Sequence, residues 1–382
     1  MELTLPKGTL AGALGPVVKI IERRNTIPVL SHVRMSVEGD DLEIRATDLD
    51  MEVVRTVPAP GGVEGGTCLP GRLLHDVVRK FEDSDVRFQS NGGHGRSVFS
   101  GASRFHLMGL PVADYPVLTP TDDGGVSTMF RTSVGALLSL LQATASSMST
   151  DETRYYLRGV YLHVEDGRLR AVATDGHRLA LASVEAPAGT EGMKPVILPA
   201  KAVGVVTETF KGASFDAEVE VECTSTWFRV RHGASTLTTK AIDGTYPDYR
   251  RVIPRDNPHA VVVPKDVLSA AVDRVATVVA QSSRSRTVAF AFGDDVITLT
   301  SSDVDQGGGN EEIDATVPAG IRGYKVGFNP RYLGEILETV HSGDVVLHVD
   351  QGTPERPAPV MIVPSDVEEG TPDCLVLMPV RL

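Results

Sequence analysis

The sequence predicts an α+β protein of three tandem homologous domains, and three observations carry that prediction. The first is a repeated strand. Leu42-Glu43-Ile44-Arg45-Ala46-Thr47-Asp48, Leu169-Arg170-Ala171-Val172-Ala173-Thr174-Asp175 and Ile297-Thr298-Leu299-Thr300-Ser301-Ser302-Asp303 each follow a turn rich in Gly, Asp or Glu, and their aspartates stand 127 and 128 positions apart. The second is a proline between an apolar pair and a helical pattern, at Pro70, Pro199 and Pro330, spaced by 129 and 131. The third is the pair Leu5-Pro6-Lys7 and Val263-Pro264-Lys265, separated by 258 positions, which is two periods. One third of the 382 residues is close to the same period.

Within a unit the order reads strand, helix, several strands, second helix, further strands. Proline in a first helical turn gives up an N–H that has no partner there, so each proline marks a strand-to-helix junction. The pattern predicts helices over 7–24, 71–81, 131–147, 199–211, 264–280 and 330–342; in the fifth, Leu268, Ala271, Val272, Val275 and Val279 recur at helical spacing and form one apolar face. Strict alternation over Ala217-Glu218-Val219-Glu220-Val221-Glu222-Cys223 predicts a strand. After Thr224-Ser225-Thr226, Phe228 and Val230 alternate with Arg229 and Arg231, so a hairpin would pair acid with base on its outer face. Linkers at Thr121-Asp122-Asp123-Gly124-Gly125 and Pro254-Arg255-Asp256-Asn257-Pro258 set domains at 1–121, 127–253 and 258–382, and Gly307-Gly308-Gly309 reads as a loop tip.

Composition narrows the function. The 41% hydrophobic and 23% charged shares are those of an ordinary globular protein. No apolar run approaches the roughly 20 residues of a membrane span, and Met1-Glu2-Leu3-Thr4-Leu5-Pro6 lacks the pattern of a leader, so a cytoplasmic protein is expected. Cys68, Cys223 and Cys374 lie far apart among apolar neighbours and read as buried free thiols. A net charge of −13 argues against holding nucleic acid by bulk charge. The six predicted helices nevertheless sum to +6, a mildly basic surface on an acidic body. With three tandem units, this suggests helices lining a nucleic-acid path.

Asp175-Gly176-His177-Arg178 invites an acid/base reading, since imidazole and carboxylate titrate where general catalysis operates. No GxxxxGK[ST], HExxH or serine elbow accompanies it. The equivalent aspartates are followed by Leu49 and Val304, with no histidine. Aspartates at strand ends commonly bond turn amides, which needs no metal. A hydrolase using Asp175 and His177, and a monomeric peptide-binding scaffold, stand as alternatives to a DNA-bound protein without chemistry.

Longer motifs resemble a known family from end to end: Arg24-Asn25-Thr26-Ile27-Pro28-Val29-Leu30, Thr47-Asp48-Leu49-Asp50-Met51-Glu52, Ser103-Arg104-Phe105, Arg154-Tyr155-Tyr156-Leu157, Ala173 to Leu179, Asp243-Gly244-Thr245-Tyr246-Pro247-Asp248-Tyr249-Arg250-Arg251-Val252 and Met378-Pro379-Val380-Arg381-Leu382. The chain is similar to the bacterial β sliding clamps, the processivity subunits of DNA polymerase III. The resemblance implies the DNA clamp fold, a head-to-tail homodimer closing a six-domain ring, helices inside and antiparallel sheets outside. It implies double-stranded DNA held by topology without sequence preference, no cofactor, no metal and no catalysis, and a cytoplasmic, nucleoid-associated location. It also implies a pocket for a linear clamp-binding motif carried by the DNA polymerase III α subunit, the clamp loader, other polymerases and repair proteins. The matching pocket residues are Arg154, Leu157, Thr174, Gly176, His177, Arg178, Leu179, Pro247, Arg251, Val252, Tyr332, Val376, Leu377, Met378, Pro379, Val380 and Arg381. Two positions depart from the family pattern: Ser285 stands where some members have an aromatic, and Val380 where a methionine is usual. Arg24 is the matching DNA contact, joined by Arg23, Arg72, Arg79, Lys80, Lys201 and Lys265 from helix positions. For the ring seam, Phe105 and Leu107 would meet the helix near Val279 of a second copy.

Overall fold

The computed structural model describes residues 1–82, 84–119, 127–279, 286–341, 343–353, 357–366 and 372–382. The linker at 121–125 and Ser285 fall outside them.

The first third of the chain folds as β1 (Leu3–Pro6), α1 (Lys7–Val18), β2 (His32–Glu38), β3 (Asp41–Thr47), β4 (Met51–Pro58), β5 (Gly65–Pro70), α2 (Gly71–Lys80), β6 (Asp85–Ser90), β7 (Arg96–Ser100) and β8 (Ser103–Leu107). The second gives β9 (Thr128–Ser133), α3 (Val134–Ala145), β10 (Gly159–Glu165), β11 (Arg168–Thr174), β12 (Arg178–Glu185), β13 (Val196–Pro199), α4 (Ala200–Thr209), β14 (Glu218–Cys223), β15 (Trp227–His232) and β16 (Ser235–Lys240). The third gives β17 (His259–Pro264), α5 (Lys265–Ala276), β18 (Val288–Phe292), β19 (Val296–Asp303), β20 (Gly307–Asp314), β21 (Lys325–Phe328), α6 (Pro330–Leu337), β22 (Asp344–Val349), β23 (Val360–Pro364) and β24 (Cys374–Leu377). Each third is therefore the module βαβββ used twice, a finer period than the one visible in the sequence.

The chain packs as two compact units, Met1–Val134 with Ala188–Ala241, and Gly135–Pro187 with Ile242–Leu382. In the first, an eight-stranded sheet runs β5-β2-β3-β4-β16-β15-β14-β9, and a four-stranded sheet runs β1-β6-β7-β8. The larger sheet joins elements of two thirds of the sequence through the antiparallel β4–β16 pair, with Leu237 opposite Val53. In the second unit, β12 meets β24 with Leu179 opposite Val376, and a four-stranded sheet runs β20-β19-β18-β21. Compactness follows these shared sheets, so the middle third contributes to both units.

The cores come from the helical stripes and the inward rows of the strands. In the first unit Leu10, Leu14 and Val17 of α1 and Leu74 and Val78 of α2 are buried with Met35, Ile44, Val53 and Phe88. In the second, the predicted stripe of Leu268, Ala271, Val272 and Val275 packs with Phe290, Leu299, Phe328 and Ile336. Phe290 and Phe328 meet edge to face at 5.1 Å, and burying each ring contributes about 2–3 kcal/mol. The hairpin pairs Glu220 with Arg231 and Glu222 with Arg229, joined by ion pairs of 2.8 and 3.1 Å. All three cysteines are buried free thiols, with burial pushing Cys68 up to about 11 and Cys223 and Cys374 up to about 12.

Three expectations need correction. Pro6, Pro70, Pro199 and Pro264 sit at N-caps in extended backbone, and of the repeat prolines Pro330 alone enters the first turn; the cap also needs no N–H, so the same chemistry marks the junction one residue earlier. α1 stops at Val18, because Ile20 and Ile21 turn into the core, and Arg23 and Arg24 leave the helix for the exposed loop after it. Gly307-Gly308-Gly309 is paired strand opposite Ser301-Ser302-Asp303; the tip is Val304-Asp305-Gln306, closed by two amides on the Asp303 carboxylate.

Candidate functional site

The second unit brings the expected pocket residues onto neighbouring elements. The turn between β11 and β12 is built by its own side chains. The Thr174 hydroxyl donates to the Arg178 carbonyl at 2.7 Å and accepts from the Gly176 amide, while Asp175 Oδ1 accepts from the amides of His177 and Arg178 at 2.8 and 3.0 Å. Gly176 has φ +88°, a left-handed conformation, and a Cβ there would lie 2.9 Å from Arg154 Nη1. That Arg154 nitrogen donates to the Asp175 carbonyl at 2.8 Å, and Arg154 Nε pairs with Asp151 at 3.0 Å. The glycine thus allows both the turn and the approach of Arg154.

Arg178 is the centre of the site. Its side chain is 6% exposed, with Nε 3.2 Å from Asp175 Oδ2 and Nη1 2.6 Å from Glu335 Oε2, the latter an ion pair without hydrogen-bond alignment. Its guanidinium lies 4.7 Å from the centre of the Tyr332 ring, and the exposed His177 ring stacks on Tyr332 at 5.7 Å. Burial would raise the Glu335 pKa, but Arg331 and Arg178 outweigh it and hold that carboxyl below its ordinary range. The terminal strand completes the wall: Arg178 pairs with Leu377 and Leu179 with Val376, the Met378 amide donates to the His177 carbonyl at 2.8 Å, and the Val380 amide to Gly327. Leu157, Leu179, Val376 and Leu377 are buried beneath, whereas Met378 and Val380 are about 38% and 37% exposed. Pro379 is half-buried beside them and Arg381 is exposed.

Pro247, Arg251 and Val252 are exposed on a segment anchored to β10. Tyr161, His163 and Glu165 occupy alternate positions of that strand, and each holds one residue of the segment. Tyr246 stacks on Tyr161 at 4.7 Å, the Tyr249 hydroxyl hydrogen-bonds His163 Nε2 at 3.0 Å, and Arg250 pairs with Glu165.

The sequence reading treated Asp175 as a catalytic candidate or a turn residue and left it out of the pocket wall, and it did not reach Glu335 or the row on β10. The pairing of Asp175 with Arg178 was detectable, since acid and arginine three apart across a tight turn can meet; Glu335 and β10 are joined to the site only by folding. The same geometry gives Asp175 a structural task. Asp175 Oδ1 accepts from the amides of His177 and Arg178, and Oδ2 accepts from Arg178 Nε, so its carboxylate closes the turn.

Comparison with known proteins settles the family. Models of the DNA polymerase III beta subunit match its N-terminal domain at residues 1–119, its central domain at 133–248 and its C-terminal domain at 250–366. The chain belongs to this family. It is 39% identical to the beta sliding clamp of Caulobacter vibrioides over the whole of both chains, and 32% identical to that of Pseudomonas aeruginosa over 90% of this chain and 92% of that one. The Bartonella birtlesii sliding clamp, solved bound to griselimycin, superposes over all of both chains with a TM-score of 0.91 at 35% identity. This family member is thus three tandem clamp domains and a replicative sliding clamp without catalysis.

As a clamp, its expected DNA contacts divide by environment. Arg23, Arg24, Arg72, Arg79 and Lys80 are exposed. Arg72 donates to the Ile21 carbonyl, Lys201 is held by Asp48 and Glu22, and Lys265 lies 2.9 Å from Asp266. At the expected seam, Phe105 is 41% exposed on the edge strand β8 and rests on Phe81 at 5.6 Å. Leu107 and Val279 are 4% and 0% exposed in the protomer, so the apolar side chain offered along β8 is that of Phe105.

Proposed function

We propose that two copies of this chain close head to tail around double-stranded DNA, and that the surface from Arg154 to Arg381 receives the linear motifs of the DNA polymerase III α subunit, the clamp loader, other polymerases and repair proteins. The observation that carries the docking reading is the Arg178–Tyr332–His177 stack beside exposed Met378, Val380 and Val252. Apolar side chains over a buried floor anchor a peptide's leucine or aromatic residue, methionine adapts to varied partners, and arginines at the edge meet peptide carbonyls and carboxylates.

The ring reading is supported by two sheet edges, β8 and β20, each outermost in its four-stranded sheet. Uncovered edges invite pairing, and a contact between unlike edges of two copies closes by symmetry. Topology then retains the DNA, which reconciles binding with a charge of −13: Arg24 and its exposed neighbours need supply only weak phosphate contacts that permit sliding. Within this reading the domains divide at 1–121, 127–253 and 258–382, and the protein resides in the cytoplasm at the nucleoid. The test is loading onto nicked circular DNA by a clamp loader. Linearisation should release the protein within minutes, and retention on the cut DNA overturns the topological reading.

A further inference from the structure

A cavity of about 540 Å³ opens in the first unit between α1, the end of α4 and the turn joining β15 to β16. Arg55 lines it. This arginine follows Met51 and Val53 on the inward row of β4, opposite Ser235 of β16, where the neighbouring positions are apolar and buried. Its guanidinium is half-buried, its Nε has no hydrogen-bond partner among the described residues, and burial pulls its pKa down with no described carboxylate acting against that pull. A cation withheld from water without a counter-charge is costly, and an anion that reaches it recovers that cost. The space for one is built in. α1 presents Gly12 and Gly15 to the cavity, and a Cβ at Gly12 would meet nothing within 4 Å. The exposed Lys211 supplies a second positive charge, and His232 is oriented by a bond of 2.9 Å from Nδ1 to the Glu218 carbonyl. Glu208 also lines the cavity, but it is exposed and forms no ion pair with Arg55 or Lys211 among the described residues.

We propose that this cavity is a binding site for a phosphoryl oxyanion, with Arg55 as its planar two-nitrogen donor and Lys211 as its second charge. The phosphoryl group comes either from the backbone of the encircled duplex, which rests on the ring reading above, or from a free phosphate, which does not. Two titrations of the full-length protein separate these. In the first, affinity for a plain duplex is followed against salt for wild type, R55Q, R55K, K211Q and R24Q. A backbone phosphate at the site makes the log–log salt slope of R55Q shallower by about 1, with R55K retaining it. In the second, inorganic pyrophosphate is titrated while thermal unfolding is followed; a free phosphate at the site raises the wild-type Tm and leaves that of R55Q unmoved. The proposal is overturned if R55Q and K211Q match wild type in both titrations; the exposed K211Q carries the test if R55Q does not fold. Loss of DNA affinity in R24Q alone overturns the site while sparing the clamp reading. Pyrophosphate binding by a wild type that shows no salt-dependent DNA binding supports the site and counts against the clamp reading.

Discussion

At the residue scale, one turn serves two purposes depending on a single side chain. In the first unit Thr47 and Asp48 make the same bonds as Thr174 and Asp175: the Thr47 hydroxyl donates to Met51 at 2.7 Å, and Asp48 Oδ1 accepts from the amides of Asp50 and Met51. Leu49, at the place of Gly176, also takes a left-handed φ, +79°. A non-glycine residue is strained there, so Leu49→Gly should stabilise the protein by about 0.5–1 kcal/mol, read as a higher urea midpoint; the gain is the strain of a left-handed residue less the entropy glycine adds to the unfolded chain. Arg178 gives the opposite case. Arg178→Met leaves Asp175 and Glu335 without their shared cation, and should cost about 3 kcal/mol in denaturant unfolding while weakening binding of a clamp-binding motif peptide at least tenfold. A full-affinity variant would show that the stack on Tyr332 is dispensable.

At the element scale, the row Tyr161, His163 and Glu165 on β10 sets the position of the 246–252 segment and hence of Pro247, Arg251 and Val252. His163 is pulled below the usual 6.5, first by burial and further by Arg170 and Arg250, against the opposing pull of Glu165. A histidine whose folded pKa is depressed is neutral in both states above the ordinary value, so its stabilising contribution is complete there. It is lost as pH falls below about 6.5, where the unfolded chain takes up the proton first. The Tm should therefore decline between pH 7 and pH 5, and less steeply in His163→Gln. His32 and His75, also lowered first by burial, retain their share of the slope. Equal slopes in the two proteins would exclude His163 as a source.

At the scale of the whole molecule, the β8 edge lies in the first unit and the docking surface in the second, so a change on β8 should separate assembly from docking. Phe105→Asp places a charge on the exposed edge β8. It should shift the protein from dimer to monomer in sedimentation at micromolar concentration and abolish retention on circular DNA, with motif-peptide affinity within twofold of wild type. A joint loss of both would place the docking surface across the seam instead.

The period of 127–131 residues, the six helices and the acid/base hairpin were legible because they rest on local rules: alternation, helical spacing and the place of proline. Gly176 was legible for the same reason, as a turn position that breaks the repeat. The end of α1 was not, because burial of Ile20 and Ile21 overrides helix-compatible neighbours such as Lys19 and Arg23. The burial of Leu107 and Val279 was not legible either, because an apolar residue carries no mark of how deep in a core it sits. The sequence by itself determined the three-domain α+β architecture and the turn at Thr174 to Arg178 on which the proposed docking surface is built. Only the tertiary structure decided which cations are free, Arg24 rather than Lys201, and which are held without a counter-charge, Arg55. Both outcomes depend on carboxylates arriving, or failing to arrive, from distant parts of the chain.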